Sequence, residues 1–248
     1  MSEVTVWERL NFYVPAYKPG NIEYALNFNI KNLVICLEDG TPEEKKLEAR
    51  VLLKNALKDL GEVDKNFTIR INSVYTKHWK DDLLAIIPYG PNRIRIPMVN
   101  KPEDILLIVD FINSIFPEQK SFPFFEIMIE SVEGLKNIEA LVQASDKIYA
   151  LTIGGEDLLN DFIKLGYKNP KQEVINAKKH LCRVAKAYEL LSFDTTFMDY
   201  KNKVGFEEDC KKSISYGFSG RSLMHPDQIE VAFELYGIVK ELKKCLKP

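Results

Sequence analysis

Residues 124–165 read FFEIMIESVEGLKNIEALVQASDKIYALTIGGEDLLNDFIKL, and this stretch decides the fold because it holds two strand–helix units in succession. Short apolar runs rich in Ile and Phe alternate in it with amphipathic stretches of helical spacing. Strands that alternate with helices predict a parallel β-sheet with crossover connections. The same alternation continues from this stretch towards both ends of the chain.

Eight apolar runs are predicted to form strands, at 11–15, 32–37, 67–72, 93–99, 124–130, 148–153, 192–198 and 220–224. Amphipathic patterns predict helices at 42–60, 102–115, 132–144, 157–165, 171–190, 206–216 and 227–244. Eight strands close a barrel, and 248 residues is an ordinary length for one. We therefore predict an α/β fold, a single (β/α)8 TIM barrel that forms one domain over residues 1–248. Two smaller domains or a doubly wound open sheet are the alternatives, although no glycine-rich turn follows the first strand.

The helix at 42–60 has the clearest pattern of these helices. Its apolar stripe consists of Leu47, Val51, Ala56, Leu57 and Leu60. Lys46 and Arg50 fall one turn apart on another face.

Charge and composition argue against several classes of function. The 34 basic and 36 acidic residues give a net charge of −2, so nothing indicates nucleic acid or an anionic membrane as partner. No apolar run is long enough to span a bilayer, and the N-terminus lacks the build of a signal peptide. The four cysteines have no metal-ligand spacing, and we interpret them as reduced thiols of a cytoplasmic protein. They are Cys36, Cys182, Cys210 and Cys245.

Chemistry in an α/β barrel is carried by the C-terminal ends of the strands. The polar residues at or near these ends are Glu38, Asp39, Arg70, Asn72, Glu130, Glu156, Asp157, Asp194, Asp199 and His225. Glu130 ends an apolar strand, where a lone buried carboxylate costs several kcal/mol unless it is paired or binds a metal. Mg²⁺ takes one or two carboxylates, which Glu130 and Asp157 supply from neighbouring strand ends. Arg70 can then grip a substrate carboxylate with two parallel hydrogen bonds.

These residues also have structural interpretations that the sequence leaves open. Asp157 could be the N-cap of the helix that follows it. Arg70 and Glu130 could form an ion pair without any ligand. His225 could be a packed loop histidine.

The chain resembles the citrate lyase β-subunit-like (HpcH/HpaI aldolase/citrate lyase) family over nearly its whole length. This family includes malyl-CoA and citramalyl-CoA lyases. Five segments carry the resemblance in family order: NLVICLEDGTPEEKKLEAR (32–50), IRIN (69–72), IMIESVEGLKNIEAL (127–141), ALTIGGEDLLNDF (150–162) and YGFSGRSLMHPDQIEV (216–231). The acidic LED of the first segment is followed by a Pro and by a later Lys and Arg.

The resemblance implies that Glu130 and Asp157 bind Mg²⁺ and that Arg70 binds the carboxylate of a 2-oxo acid. It implies that Glu38 and Asp39 line the site and orient water or substrate. In this family Mg²⁺ stabilises the enolate of the oxo acid while a carbon–carbon bond breaks or forms, and the other product is commonly an acyl-CoA. We add Asn72 and the backbone amides of Gly154 and Gly155 as predicted substrate-binding groups.

The sequence departs from the family pattern at three positions. Cys36 stands where the family usually has an acid, and Met98 and Tyr24 stand where it usually has lysines. Basic side chains are the groups that bind the phosphates of CoA. In addition, only 20 residues follow Gln228, where longer lyases continue into a C-terminal lid that carries a catalytic acid.

Three hypotheses follow. The leading one is a Mg²⁺-dependent lyase or aldolase that acts on a 2-oxo acid of the pyruvate, oxaloacetate or glyoxylate type, with an acyl-CoA or an aldehyde as partner. The second keeps this chemistry but replaces the CoA ester by a sugar- or nucleotide-linked compound in a biosynthetic cluster. The third is a non-catalytic barrel subunit. The resemblance also implies a homo-oligomer, a trimer or a hexamer.

Overall fold

The computed structural model describes residues 6–18, 20–59, 63–118 and 122–245, apart from the side chains of 6, 7 and 238–245. Its strands are β1 (Leu10–Pro15), β2 (Asn32–Cys36), β3 (Asn66–Arg70), β4 (Arg93–Ile96), β5 (Phe124–Ile129), β6 (Ile148–Ile153), β7 (Leu191–Asp194) and β8 (Gly220–Leu223). Each strand pairs in parallel with the next, and β8 pairs with β1. The barrel is therefore closed, which confirms the predicted (β/α)8 fold.

The helices that surround the barrel are α1 (Asn21–Leu26), α2 (Lys46–Asp59), α3 (Trp79–Ile86), α4 (Pro102–Ile115), α5 (Val132–Lys136), α6 (Ile138–Val142), α7 (Gly155–Lys164), α8 (Pro170–Ala187), α9 (Lys203–Tyr216) and α10 (Ile229–Cys245). The prediction at 102–115 matches α4. Two helices, α1 and α3, were not predicted. The helix predicted at 132–144 is two short helices that meet at Asn137.

The apolar core lies between the outer face of the barrel and the helices, where Ile and Leu side chains from both layers pack together. The interior of the barrel is more polar. Arg95 of β4 and Glu126 of β5 are fully buried there and form an ion pair of 2.5 Å.

Helix α2 does not bury the face that its sequence indicates. Leu47 and Val51 of the predicted stripe are exposed, while Lys46, Ala49 and Leu53 are buried. The stripe prediction was wrong at these positions because Lys46 finds hydrogen-bond partners beneath the helix, and this fixes which side of α2 faces inward. Leu60, the last member of that stripe, lies outside the described residues.

Three of the cysteines, Cys36, Cys182 and Cys210, are buried and free, and the side chain of Cys245 is not among those described. Across the described ranges, none of the helices has the length and apolar character needed to cross a membrane.

Candidate active site

A cavity of about 560 Å³ opens at the mouth of the barrel, at the C-terminal ends of the strands. It is lined by Tyr13, Pro15, Cys36, Asp39, Gly40, Arg70, Met128, Glu130, Gly154, Gly155, Glu156, Asp157, Val174, Lys178, Thr195, Thr196, Met198 and Met224. Every strand except β4 contributes to this lining, either from the strand or from the loop after it. The mouth therefore brings together residues that lie far apart in the sequence.

Arg70, the last residue of β3, is the cation on which the acidic groups of the mouth converge. Its Nη2 atom pairs with Glu38, with Asp39 at 2.9 Å and with Glu130 at 3.6 Å. Its Nε atom is buried without a hydrogen-bond partner in the described part of the chain. The Arg70–Glu130 ion pair that the sequence left open is thus present, and all three ion pairs use Nη2.

Glu130 follows β5 and is held in place by backbone groups. Its Oε2 accepts a hydrogen bond of 2.7 Å from the N–H of Met98, whose φ of +53° is unusual for a residue with a side chain. A Cβ on Gly154 would lie 2.5 Å from Oε1 of Glu130, so the glycine gives this carboxylate room. Strained backbone and a close approach of this kind are concentrated at functional sites.

Asp157 lies in the first turn of α7, which begins two residues earlier at Gly155. The N-cap position is Gly154, without a side-chain cap, so the interpretation of Asp157 as the N-cap was wrong. Asp157 is exposed and lines the cavity. A carboxylate here is also favoured by the positive end of the helix dipole.

The carboxylates of the mouth are short of positive charge. Burial raises the pKa of Glu38 to about 8, even though Arg70 opposes the shift. Burial also raises the pKa of Glu130, and Asp157 adds to this shift by repulsion. Solvent reaches Asp157, but the walls of the cavity partly desolvate its carboxylate, and this raises its pKa, with repulsion from Asp39 adding to the shift. Each raised pKa means that the ionised form is disfavoured where it stands.

The structure places most, but not all, of the predicted site residues on the cavity. Asp39, Arg70, Glu130, Gly154, Gly155 and Asp157 line it. Glu38 is absent from the lining and is mostly buried against Arg70. Asn72 is also absent, because its amide is bonded within the protein to Lys46, Leu37 and Asp82. The predicted contact between Asn72 and substrate does not fit this arrangement.

Several residues of the cavity were not predicted. Thr195 and Thr196 line it because β7 ends at Asp194, whereas the predicted strand ran on to residue 198. Lys178 reaches the mouth from α8 and pairs with Asp194 at 2.8 Å. Had β7 been predicted to end at Asp194, the two threonines would have followed a strand end and would have been predicted at the mouth. Lys178 lies in the middle of α8, and its sequence position does not indicate that it reaches the cavity.

The residues at the mouth fit a Mg²⁺ ion. The donor atoms of Glu130 and Asp157 are carboxylate oxygens, which this ion prefers, and Gly154 leaves open the space beside Glu130 that a Cβ would fill. No group of three or more His, Cys, Asp or Glu side chains in the described ranges is arranged to hold a metal. A metal here would therefore rely on these two carboxylates with water and substrate, which is the usual arrangement for Mg²⁺.

The chain forms a closed parallel barrel, and acidic residues and an arginine gather at the C-terminal ends of its strands. These features place it in the class of (β/α)8-barrel enzymes. The HpcH/HpaI aldolase/citrate lyase family matches residues 9–226, so the chain belongs to this family and is a carbon–carbon lyase by class. This confirms the resemblance inferred from the five segments.

Named relatives agree with the family assignment. The citrate lyase subunit beta of Leuconostoc mesenteroides subsp. cremoris is 27% identical over 234 residues, which cover 92% of this chain and 76% of that protein. The human mitochondrial citramalyl-CoA lyase is 26% identical over 244 residues, which cover 92% of this chain and 70% of that protein. The fold is similar to that of the citrate lyase beta subunit complexed with oxaloacetate and magnesium from M. tuberculosis. The TM-score is 0.76 at 19% identity, with 94% of this chain and 99% of that chain covered.

Proposed function

We propose that this protein is a Mg²⁺-dependent carbon–carbon lyase or aldolase that acts on a 2-oxo acid together with an acyl-CoA or aldehyde partner. One observation carries the proposal. Five carboxylates gather at the mouth, those of Glu38, Asp39, Glu130, Glu156 and Asp157, and every ion pair that the described residues make to them comes from Arg70. The excess negative charge calls for a divalent cation, because uncompensated buried carboxylates are costly.

Glu130 and Asp157 would hold the ion, and Arg70 would bind the carboxylate of the oxo acid. The three ion pairs of Arg70 all use Nη2, which leaves the two N–H donors of Nη1 for a ligand oxygen. Glu38 and Asp39 keep the guanidinium oriented from the side of β2. Bound Mg²⁺ would supply Lewis-acid stabilisation of the negative charge that builds on the oxygen of the oxo acid.

Gly155, the first residue of α7, lines the same space at the positive end of that helix, which favours an anionic group. The predicted contact from the backbone amide of Gly154 was wrong, because this N–H donates to the carbonyl oxygen of Ile129 at 3.0 Å. The structure of the citrate lyase beta subunit from M. tuberculosis is described as a complex with oxaloacetate and magnesium. This supports a 2-oxo acid and Mg²⁺ as the two ligands of the mouth. The name of the citramalyl-CoA lyase relative supports a CoA thioester as the second substrate.

Turnover of defined thioesters tests this proposal. We expect Mg²⁺-dependent release of acetyl-CoA from at least one of malyl-CoA, citramalyl-CoA and citryl-CoA. Chelation by EDTA and the Glu130→Ala substitution should each abolish it. If none of the three is cleaved, and pyruvate does not bind in the presence of Mg²⁺, the proposal is wrong.

A second candidate keeps the metal and the oxo acid but changes the partner to a compound without CoA phosphates. It is favoured by the charge of the cavity, because both basic residues of its lining, Arg70 and Lys178, are already paired with carboxylates. The exposed Tyr24 also stands where the family usually has a lysine. Condensation of pyruvate with aldehydes, including sugar aldehydes, without turnover of any thioester would favour this candidate. Rapid turnover of a thioester would exclude it.

We also propose a homo-oligomer, a trimer or a hexamer, on the strength of the family resemblance alone. Light scattering coupled to size-exclusion chromatography tests this, and a monomer at micromolar concentration would contradict it. A non-catalytic barrel is the remaining alternative. The acid-rich mouth argues against it, because without a metal these carboxylates only destabilise the fold.

A further inference from the structure

Lys46 occupies a position that is unfavourable for a lysine. It is the first residue of α2, where the helix dipole repels positive charge, and it is buried, where an ammonium group is costly unless its hydrogen bonds are satisfied. The neighbouring Lys45 is partly exposed and pairs with Glu48. The stability of α2 alone therefore does not explain why Lys46 points inward, and its hydrogen-bond partners must be considered.

The contacts of Lys46 lie in the loop that follows β2. Its Nζ donates to the carbonyl oxygens of Leu37 at 2.8 Å and of Glu38 at 2.9 Å. A third hydrogen bond of 2.7 Å goes to Oδ1 of Asn72, which lies just beyond β3. An ammonium group has three N–H donors, so the side chain is fully used in joining the two loops.

Two further residues extend this connection. Oδ2 of Asp82 accepts from the backbone N–H of Asn72 at 2.8 Å and from its Nδ2 at 2.6 Å. Oδ1 of the same fully buried carboxylate accepts from Nη1 of Arg50 at 3.0 Å. We call Lys46, Arg50, Asn72 and Asp82 the brace. It accounts for Lys46 and Arg50, the basic pair of the 32–50 segment, neither of which lines the cavity.

The brace fixes the two strand ends on which Arg70 and its partners stand. Asn72 is two residues beyond Arg70, and the Glu38 carbonyl that Lys46 binds belongs to one of the residues whose carboxylate pairs with Arg70. The position of the β2 loop relative to β3 therefore decides how the carboxylates of Glu38 and Asp39 meet the guanidinium. A shift of that loop would carry the carboxylates of Glu38 and Asp39 away from the guanidinium and change its orientation.

We propose that Lys46 is a positioning residue: acting through the β2 loop and Asn72, it sets the orientation in which Arg70 is presented to a carboxylate ligand. The identification of that ligand as a 2-oxo acid rests on the proposed function. Glu130 and Asp157 follow β5 and β6, and in the described part of the chain no hydrogen bond or ion pair joins either of them to the brace. Loss of Lys46 should therefore weaken binding of the oxo acid while sparing binding of the metal.

The closing experiment compares Lys46→Met with the matched control Lys45→Met. In protein without metal or substrate, the Nε–Hε resonance of Arg70 is assigned by its disappearance in Arg70→Lys. We expect Lys46→Met to shift or broaden this resonance and Lys45→Met to leave it in place. An unchanged resonance in folded Lys46→Met would overturn the proposal. This readout needs no substrate, so a failure of the proposed function would not disturb it.

Affinities measured by calorimetry provide the second readout. With Mg²⁺ present, pyruvate should bind Lys46→Met at least about tenfold more weakly than wild type, in line with a weakened charge-assisted hydrogen bond. The affinity of this variant for Mg²⁺ alone should stay within about twofold of wild type. If the affinities for pyruvate and for Mg²⁺ fall equally, the substitution has caused a general structural defect and the proposal is overturned. If Lys46→Met does not fold, Lys46→Gln retains two N–H donors and takes its place. Lys46→Arg should restore the Arg70 resonance towards its wild-type position.

Discussion

Two clusters of charged side chains, one at the centre of the barrel and one at its mouth, are satisfied to very different degrees. At the centre, Glu126 accepts hydrogen bonds from Arg95 at 2.5 Å, Tyr149 at 2.9 Å and Asn11 at 3.4 Å. Arg95 in turn donates to Tyr13. One acid is matched by one base, and neutral donors complete the set.

At the mouth, Arg70 makes ion pairs with Glu38, Asp39 and Glu130, and Asp157 makes none with the described residues. Burial raises the pKa values of Glu38, Glu130 and Asp157. The comparison teaches that buried charge alone does not indicate a binding site. At the centre the single carboxylate of Glu126 has a guanidinium partner and neutral donors, although Nε of Arg95 lacks a hydrogen-bond partner among the described residues. The mouth cluster has more carboxylates than cations, so it is incomplete and needs a ligand.

Breaking the central cluster should have the largest effect on stability. Glu126→Gln leaves Arg95 as an unpaired buried charge, and we expect a loss of about 3–5 kcal/mol in the free energy of unfolding. Glu130→Gln removes an uncompensated charge, so it should leave the stability unchanged or raise it. Urea denaturation without metal compares the two variants. Equal destabilisation would show that the clusters do not differ as described.

Removing Arg70 should separate the two ligands of the mouth. With Arg70→Met, the affinity for pyruvate in the presence of Mg²⁺ should fall about 10–100-fold, because a charge-assisted hydrogen bond is lost. The affinity for Mg²⁺ alone should stay the same or rise, because a competing positive charge is removed. The exposed Arg183 provides the control, Arg183→Met, which should change neither. A parallel loss of both ligands in Arg70→Met would contradict the assigned roles.

Two adjacent glycines allow the metal site to be perturbed with a matched control. In Gly154→Ala the new Cβ would lie 2.5 Å from Oε1 of Glu130, so the carboxylate must move, and the affinity for Mg²⁺ should fall about tenfold. In Gly155→Ala the nearest atom, Cγ2 of Thr195, is 3.5 Å away, and the affinity should stay within about twofold. Isothermal titration calorimetry measures both, and equal affinities would argue against Glu130 as a metal ligand.

A further test uses the pH dependence of stability that Glu38 contributes. Its pKa is about 8 in the folded protein against an ordinary 4.5, so between these values the folded state holds a proton that the unfolded state has released. Stability should therefore fall as the pH rises through this window.

Glu38→Gln cannot titrate and should lack this fall. We compare the urea midpoints of unfolding at about pH 5 and about pH 8 in EDTA. The midpoint of the variant should rise relative to that of wild type between the two pH values. The exposed Glu44→Gln serves as control and should follow wild type. If Glu38→Gln also follows wild type across this range, the raised pKa is wrong.

The regular spacing of apolar runs was enough to predict the barrel, because strand and helix periods differ and because eight strands close. The errors have local causes. α3 begins after a polar loop and contains Lys80, Asp81 and Asp82, so its pattern is weak. Leu47 and Val51 are exposed because Lys46, which looks like a surface residue in the sequence, has its partners inside.

The acids and the arginine of the mouth were predictable because strand ends in a parallel barrel converge on one rim. What the sequence could not show is how the side chains are used once they meet. Asn72 follows β3 as predicted, but its amide is consumed by Lys46 and Asp82. Met98 supplies a backbone N–H to Glu130, a contact that depends on a left-handed backbone conformation and not on the type of side chain.

The central claim is that Glu130 and Asp157 hold a Mg²⁺ ion at the incomplete cluster. Calorimetric titration of Mg²⁺ into metal-free wild type and into Glu130→Ala tests it most directly. We predict a single binding event per chain in wild type and no measurable binding in Glu130→Ala, with the fold of both confirmed by circular dichroism. Unchanged Mg²⁺ affinity in folded Glu130→Ala would contradict the claim.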